Sequence, residues 1–106
     1  MEEATLIWVE RDKNPNGFPV ETEHRVDIYV EEKSAVRSEH YEAARAGIQI
    51  KTVLKTRQED FELSRHLTAA GVSEYATKVL YDGQKYDIER TYKVGKSMIE
   101  IVCKEG

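Results

Sequence analysis

The chain has 106 residues, 40% of them hydrophobic and 34% charged, with a net charge of −4 at pH 7. This fits one domain, 1–106, with Val, Ile, Leu and aromatic residues recurring often enough to build a modest core, which excludes a disordered chain. The acidic balance argues against gripping nucleic acid over the whole surface, since such binding works by neutralising phosphates, and it does not exclude DNA as a neighbour.

The longest apolar stretch, Leu6 to Val9, is far too short to span a bilayer, and Met1-Glu2-Glu3 lacks the basic start of a secretory signal. We therefore expect no membrane association and synthesis in the cytoplasm. The one cysteine, Cys103, lies in a strand-like run and reads as a small buried apolar residue. Charge is uneven along the chain. Glu2, Glu3, Glu10, Asp12, Glu21, Glu23, Asp27, Glu31 and Glu32 outnumber Arg11, Lys13, Arg25 and Lys33, whereas Arg37, Arg45, Lys51, Lys55 and Arg57 then face only Glu39 and Glu42. Patches of opposite sign are one way for identical subunits to meet head to tail, and they are equally an ordinary solubilising feature.

In chain order, the first expected strand is Thr5 to Glu10, where β-branched Ile7 and Val9 flank Trp8. The breaker cluster Asp12-Lys13-Asn14-Pro15-Asn16-Gly17-Phe18-Pro19 follows, read as a connection running to about Glu23 that is either mobile or used for contact. Val26, Ile28 and Val30 then alternate with Asp27, Tyr29 and Glu31, the pattern of a strand with one face buried. From Ser34 to Gly47 the chain reads as a short helix: Ser38 is a cap, Glu39 and Glu42 favour its positive end, Ala43, Ala44 and Ala46 are helix formers, and Gly47 closes it. A helix of about two turns with so little apolar surface needs packing from elsewhere.

Ile48 to Thr56 resumes a strand, with Ile48, Ile50 and Leu54 expected on one face and Lys51, Val53 and Lys55 on the other. Gln58 to Ser73 is ambiguous. Phe61, Leu63 and Leu67 begin an alternation, while Leu63, Leu67 and Ala70 fit a helix ending at Gly71. The last third reads as a meander: a strand to Tyr81, a tight turn at Asp82-Gly83, strict alternation from Tyr86 to Tyr92, a second turn of the same kind at Gly95-Lys96, and Met98 to Cys103 with Ile99, Ile101 and Cys103 facing one way. These elements make a mainly β fold, a small antiparallel β-barrel or sandwich of about six to seven strands with one short helix in a loop. Ile28, Ile50, Ile88 and Ile101 are expected in its core.

Little in the sequence supports catalysis, so we expect no enzyme activity and no cofactor. His24, His40 and His66 are too far apart for metal-ligand spacing with one another or with Cys103, and they read as exposed or loosely packed. Glu31-Glu32 and Glu59-Asp60 are adjacent pairs that on a strand point to opposite faces. Tyr75, Tyr81, Tyr86 and Tyr92 would suit a base-stacking platform, but such residues are more often cross-strand packing pairs, and Asp82, Asp87 and Glu89 would repel phosphates.

The run Arg37-Ser38-Glu39-His40-Tyr41-Glu42-Ala43-Ala44-Arg45-Ala46-Gly47, the run Val79 to Tyr92, and the ending Ile99-Glu100-Ile101-Val102-Cys103 resemble the head-closure (head-completion, or stopper) family of long-tailed phages and prophages. The resemblance covers nearly the whole chain and lies in the order of elements, with no catalytic motif; Gln58 to Ser73 is longer than the family's usual link. It implies a virion structural protein at the head–tail interface, made in the host cytoplasm and assembled as a homo-oligomeric ring of about twelve copies. The ring would sit below a portal or adaptor ring protein and above a tail-completion or tail-tube protein, with packaged double-stranded DNA in its channel and no sequence-specific binding. In the family the helix-bearing loop faces the channel, which corresponds here to Ser34, Arg37, Ser38, Glu39, His40, Tyr41, Glu42, Arg45 and Gly47. The loop of Asn14, Pro15, Asn16, Gly17, Phe18 and Pro19 is the expected contact with a neighbouring ring. Two alternatives stay open: an adaptor or tail-terminator ring subunit of the same assembly, and a small β-barrel that binds single-stranded nucleic acid.

Overall fold

The computed structural model describes residues 2–13, 15–33, 50–68 and 70–105. In chain order they form β1 (Glu2–Lys13), β2 (Pro19–Lys33), β3 (Ile50–Arg57), α1 (Gln58–Glu62), β4 (His66–Leu67), β5 (Ser73–Glu74), β6 (Lys78–Tyr81), β7 (Gln84–Val94) and β8 (Met98–Glu105). Six of the strands close a barrel in the order β1-β2-β3-β8-β7-β6, while β4 and β5 pair as a separate two-stranded ladder. Every pairing is antiparallel. Closure removes the sheet edges that a flat six-stranded meander would expose.

Alternation decides what lies inside. Ala4, Leu6 and Trp8 of β1 meet Ile28 and Val30 of β2, Leu54 of β3, Val79 and Tyr81 of β6, and Ile99, Ile101 and Cys103 of β8 in one buried cluster, against which Val26, Tyr86 and Ile88 pack from its margin. Ile28 and Ile101 are thus core residues as expected, and Ile88 borders the core. Ile50 is buried elsewhere, with Val53 and Val102 in a second cluster. The reason is a register shift between Ile50 and Thr52: the extra residue of a bulge flips the phase, so Ile50 shares a cluster with Val53 and not with Leu54. Val53 lies on the face opposite Leu54, as expected, and is buried there beside Ile50 and Val102. Cys103 is fully buried, and burial pushes its thiol up to about 12, leaving it a neutral packing group.

The turns follow their chemistry. Tyr81 pairs with Gln84 across Asp82 and Gly83, whose φ angles of 51° and 76° are the two positive values that a two-residue hairpin of matching twist requires. A Cβ at Gly83 would meet nothing within 4 Å, so Gly83→Ala isolates the backbone cost. We expect it to lower stability by about 1–2 kcal/mol in urea unfolding, with the slope unchanged. The second hairpin differs from expectation. Val94 pairs with Met98, so Gly95, Lys96 and Ser97 form a three-residue turn, with Gly95 at φ 64°.

Residues 58–73 are neither the single strand nor the helix to Gly71 that the sequence allowed. The α1 helix ends after Glu62, and β4 and β5 pair through His66↔Glu74 and Leu67↔Ser73. Tertiary hydrogen bonds fix this. Gln58 N and Nε2 donate to Ser97 O (2.8 Å) and Met98 O (2.9 Å), while Ser64 Oγ donates to Phe61 O (2.8 Å) and accepts from Ala76 N (3.0 Å). Phe61 is thereby held in the main core, stacked on Tyr75 at 5.3 Å. The expected helix of 34–47 lies outside the described residues; the short helix that is described is α1.

Candidate functional site

The β1 strand pairs with β2 along its whole length, from Glu2↔Val30 to Lys13↔Pro19, but with β6 only from Ala4↔Tyr81 to Ile7↔Lys78. On its other side β2 pairs with β3 only from Glu31↔Lys55 to Lys33↔Val53. Beyond these limits the two strands leave the barrel wall as a two-stranded ribbon, in a molecule 50 Å long and 30 × 27 Å across. The sequence reading ended the first strand at Glu10 and kept a connection to Glu23, whereas β1 runs to Lys13 and β2 begins at Pro19. The ribbon lacks a barrel interior to face, so its residues carry no apolar alternation, which is the signal that reveals a half-buried strand.

At the ribbon's tip Pro15, Asn16, Gly17 and Phe18 form an exposed turn with Gly17 at φ 82°; Phe18 is 66% exposed, and Pro19 opens β2. Asn14 lies outside the described residues. Strand registers put this tip, α1, the β4–β5 ladder and the Gly95 turn at one end of the barrel. The Asp82-Gly83 turn, Lys33 and Ile50 are at the other. The chain therefore enters and leaves residues 34–49 at the barrel end opposite the tip. The predicted channel residues Ser34, Arg37, Ser38, Glu39, His40, Tyr41, Glu42, Arg45 and Gly47 lie outside the described residues.

Where the ribbon leaves the barrel, Trp8 is sandwiched between two imidazoles. His24, its cross-strand partner, stacks on it at 5.4 Å and 16°, and His66 of β4 stacks at 5.4 Å and 7°. His66 Nδ1 lies 2.9 Å from Ser64 O, so Nδ1 carries the proton and donates, leaving Nε2 facing Glu74 Oε2 at 4.0 Å. His24 Nε2 is 3.4 Å from Glu10 Oε2 without a directed hydrogen bond, and Trp8 Nε1 is buried without a protein acceptor. His66 is neither exposed nor loosely packed, as the sequence reading had it, since only 10% of its side chain is exposed; His24 keeps 38% of its side chain exposed. Sequence spacing gave no sign of a stack spanning residues 8, 24 and 66; the alternation that opposes residue 24 to residue 8 becomes legible only once β2 is extended back to Pro19.

Beside the stack lies a groove of about 700 Å³ between Val9, Glu10 and Arg11 of β1 and His66, Leu67, Thr68 and Glu74 of the ladder, with Thr77 and Lys78 at its base. Its rim is partly apolar, since Leu67 and Val9 are 64% and 45% exposed. Its charges are engaged: Arg11 Nε meets Glu21 Oε1 at 3.2 Å and Lys78 Nζ meets Asp87 Oδ1 at 2.5 Å. Among the described residues no group of three or more His, Cys, Asp or Glu side chains could hold a metal ion. The tyrosines do not share one face: Tyr81 and Tyr86 pack in or against the core, Tyr75 lies on Phe61 with its hydroxyl donating to Glu62, a bond that raises its pKa, and Tyr92 is exposed beside Arg90. The arrangement offers a backbone edge, an apolar rim and paired charges, which are the materials of a protein contact.

No family model, curated protein or solved structure matches this chain.

Proposed function

We propose that this chain is a structural head-completion (stopper) subunit of a phage head-to-tail connector. It forms one copy of a ring below the portal or adaptor ring, helps retain packaged DNA and offers a surface for tail docking. The observation that carries this reading is that the β1–β2 tip and the strand ends at Lys33 and Ile50 stand at opposite ends of the barrel. The exposed β1–β2 tip stands at one end, and residues 34–49, inserted between β2 and β3 where the resemblance has its channel loop, are entered from the other. A ring subunit needs such polarity, with one end toward the neighbouring ring and another segment toward the channel. The small antiparallel barrel with mixed surface charge is compatible with both roles, and the burial of Tyr81 removes one ring from any base-stacking platform.

The test is head assembly in cells making the chain with Glu39 to Arg45 replaced by a glycine bridge. We expect heads that package DNA but lose it before tails join, with the purified variant still folded. Heads made without the protein that keep their DNA and join tails normally would refute the assignment. Salt-dependent affinity of the isolated chain for single-stranded DNA would favour the nucleic-acid-binding alternative.

A further inference from the structure

Among the described residues the ribbon carries two backbone edges that pair with no strand, and their phases are fixed. Ile7 O accepts a hydrogen bond from Thr77 N at 3.1 Å, so the odd-numbered residues of β1 turn their main-chain groups away from β2. Val9 and Arg11 continue that phase and direct one N–H and one C=O each into the groove, where no described strand pairs with them. On β2 the alternation is marked by Tyr29 O, which accepts from Thr56 Oγ1 at 2.8 Å. It turns the main chain of Glu21, Glu23, Arg25 and Asp27 toward the β3 side, where pairing among the described residues begins only at Glu31.

We propose that a second copy of this chain lays its β2 edge against the free β1 edge, so that the ribbons of neighbouring copies join in one antiparallel sheet. Direction permits this without rearrangement: because β1 and β2 are antiparallel, ribbons set side by side bring β2 of one copy antiparallel to β1 of the next. Charge selects it over the two-fold alternative. The β2 edge presents Glu21, Glu23 and Asp27 with only Arg25 among them, three acids to one base, so two such edges bring a net excess of like charge together whatever their register. The groove along the β1 edge carries Arg11 and Lys78 beside Glu10 and Glu74, two charges of each sign, so an acidic β2 edge meets no net like charge there. Arg11 already holds Glu21 of its own ribbon at 3.2 Å, and a neighbour's glutamate would flank it from the other side. Each copy uses two different edges, so the contact is heterologous and can repeat around a ring. Closure of that ring rests on the function proposed above; the edge pairing does not.

Disulfide trapping tests the pairing with intact chains. A Val9→Cys chain is mixed at high concentration with Glu21→Cys, Glu23→Cys or Arg25→Cys chains and oxidised; Cys103 is buried and stays out of the reaction. We expect at least one pair to give the mixed dimer several-fold in excess of either homodimer. Adding Arg11→Pro to the Val9→Cys chain should abolish that excess, because it removes an N–H of the free edge and none of those facing β2. Homodimers of the β2 variants in excess, or mixed products no greater than in denaturant, would overturn the pairing, and the ratio decides this without the proline variant. Failed trapping alongside heads that need the protein to retain DNA would remove the edge contact and leave the head-completion role. Efficient trapping with heads indifferent to the protein would do the reverse.

Discussion

Ile101→Asp is expected to abolish the cooperative thermal transition at neutral pH. Ile101 has no exposed surface and sits between Leu54 of β3 and Thr91 of β7 in the middle of the barrel wall, with its side chain in the main core. An unpaired carboxylate there costs several kcal/mol in desolvation, and the neutral acid still leaves its polar atoms without partners. Set against a net stability of about 5–15 kcal/mol for a domain, either cost removes most of the margin. The introduced carboxyl ionises less readily folded than unfolded, so what stability the variant retains is present at acid pH and lost as pH rises above the ordinary carboxylate range. Ile101→Val, which removes one methylene, should cost only about 0.5–1.5 kcal/mol. Circular dichroism melts of the three proteins at neutral and acid pH check this, and an unchanged melting temperature for Ile101→Asp would reverse the assigned phase of β8.

Trp8→Ala is expected to cost about 3–5 kcal/mol in chemical denaturation, the range for removing a large buried aromatic. The position matters beyond its volume. Trp8 is the last core residue of β1 before the ribbon leaves the barrel, and its ring joins His24 of the ribbon to His66 of the β4–β5 ladder. Without it the ladder keeps the hydrogen bonds of Ser64 to Phe61 and Ala76 but loses its contact with the ribbon, so amide exchange should accelerate at residues 66–74 more than in β8. Trp8→Phe should cost much less than Trp8→Ala, because stacking is retained and the buried Nε1 without an acceptor is removed. Equal losses for the two variants would show that the stack contributes nothing beyond volume.

Much of the barrel is legible in local sequence because local chemistry is sufficient there. Asp82-Gly83 specifies a two-residue hairpin by its tolerance of positive φ, and the period-two pattern of Ile99, Ile101 and Cys103 specifies the buried face of β8. Val26, Ile28 and Val30 do the same for β2. The signal fails where a strand has no buried face or where its phase is broken. Residues 19–24 carry mostly polar side chains because they lie in the projecting ribbon, and they read as loop. The bulge at Ile50 inverts an alternation that looks continuous in the sequence. Residues 58–73 hold apolar residues compatible with two periods, and only bonds to the distant Ser97, Met98 and Ala76 select a short helix and a ladder.

The candidate site divides in the same way. By itself the sequence determined a mainly β fold with a small antiparallel barrel, the Asp82-Gly83 hairpin and most of the core, since each depends on periodicity or turn preference within about ten residues. Only the tertiary structure decided how far each strand pairs with its neighbours among the described residues, how the barrel closes through β1 and β6, and that Trp8, His24 and His66 form one stack beside a groove. These features depend on registers between segments far apart in the chain. Where one strand outruns its neighbours is set by the length of every strand around the barrel, and no local pattern of residues records it.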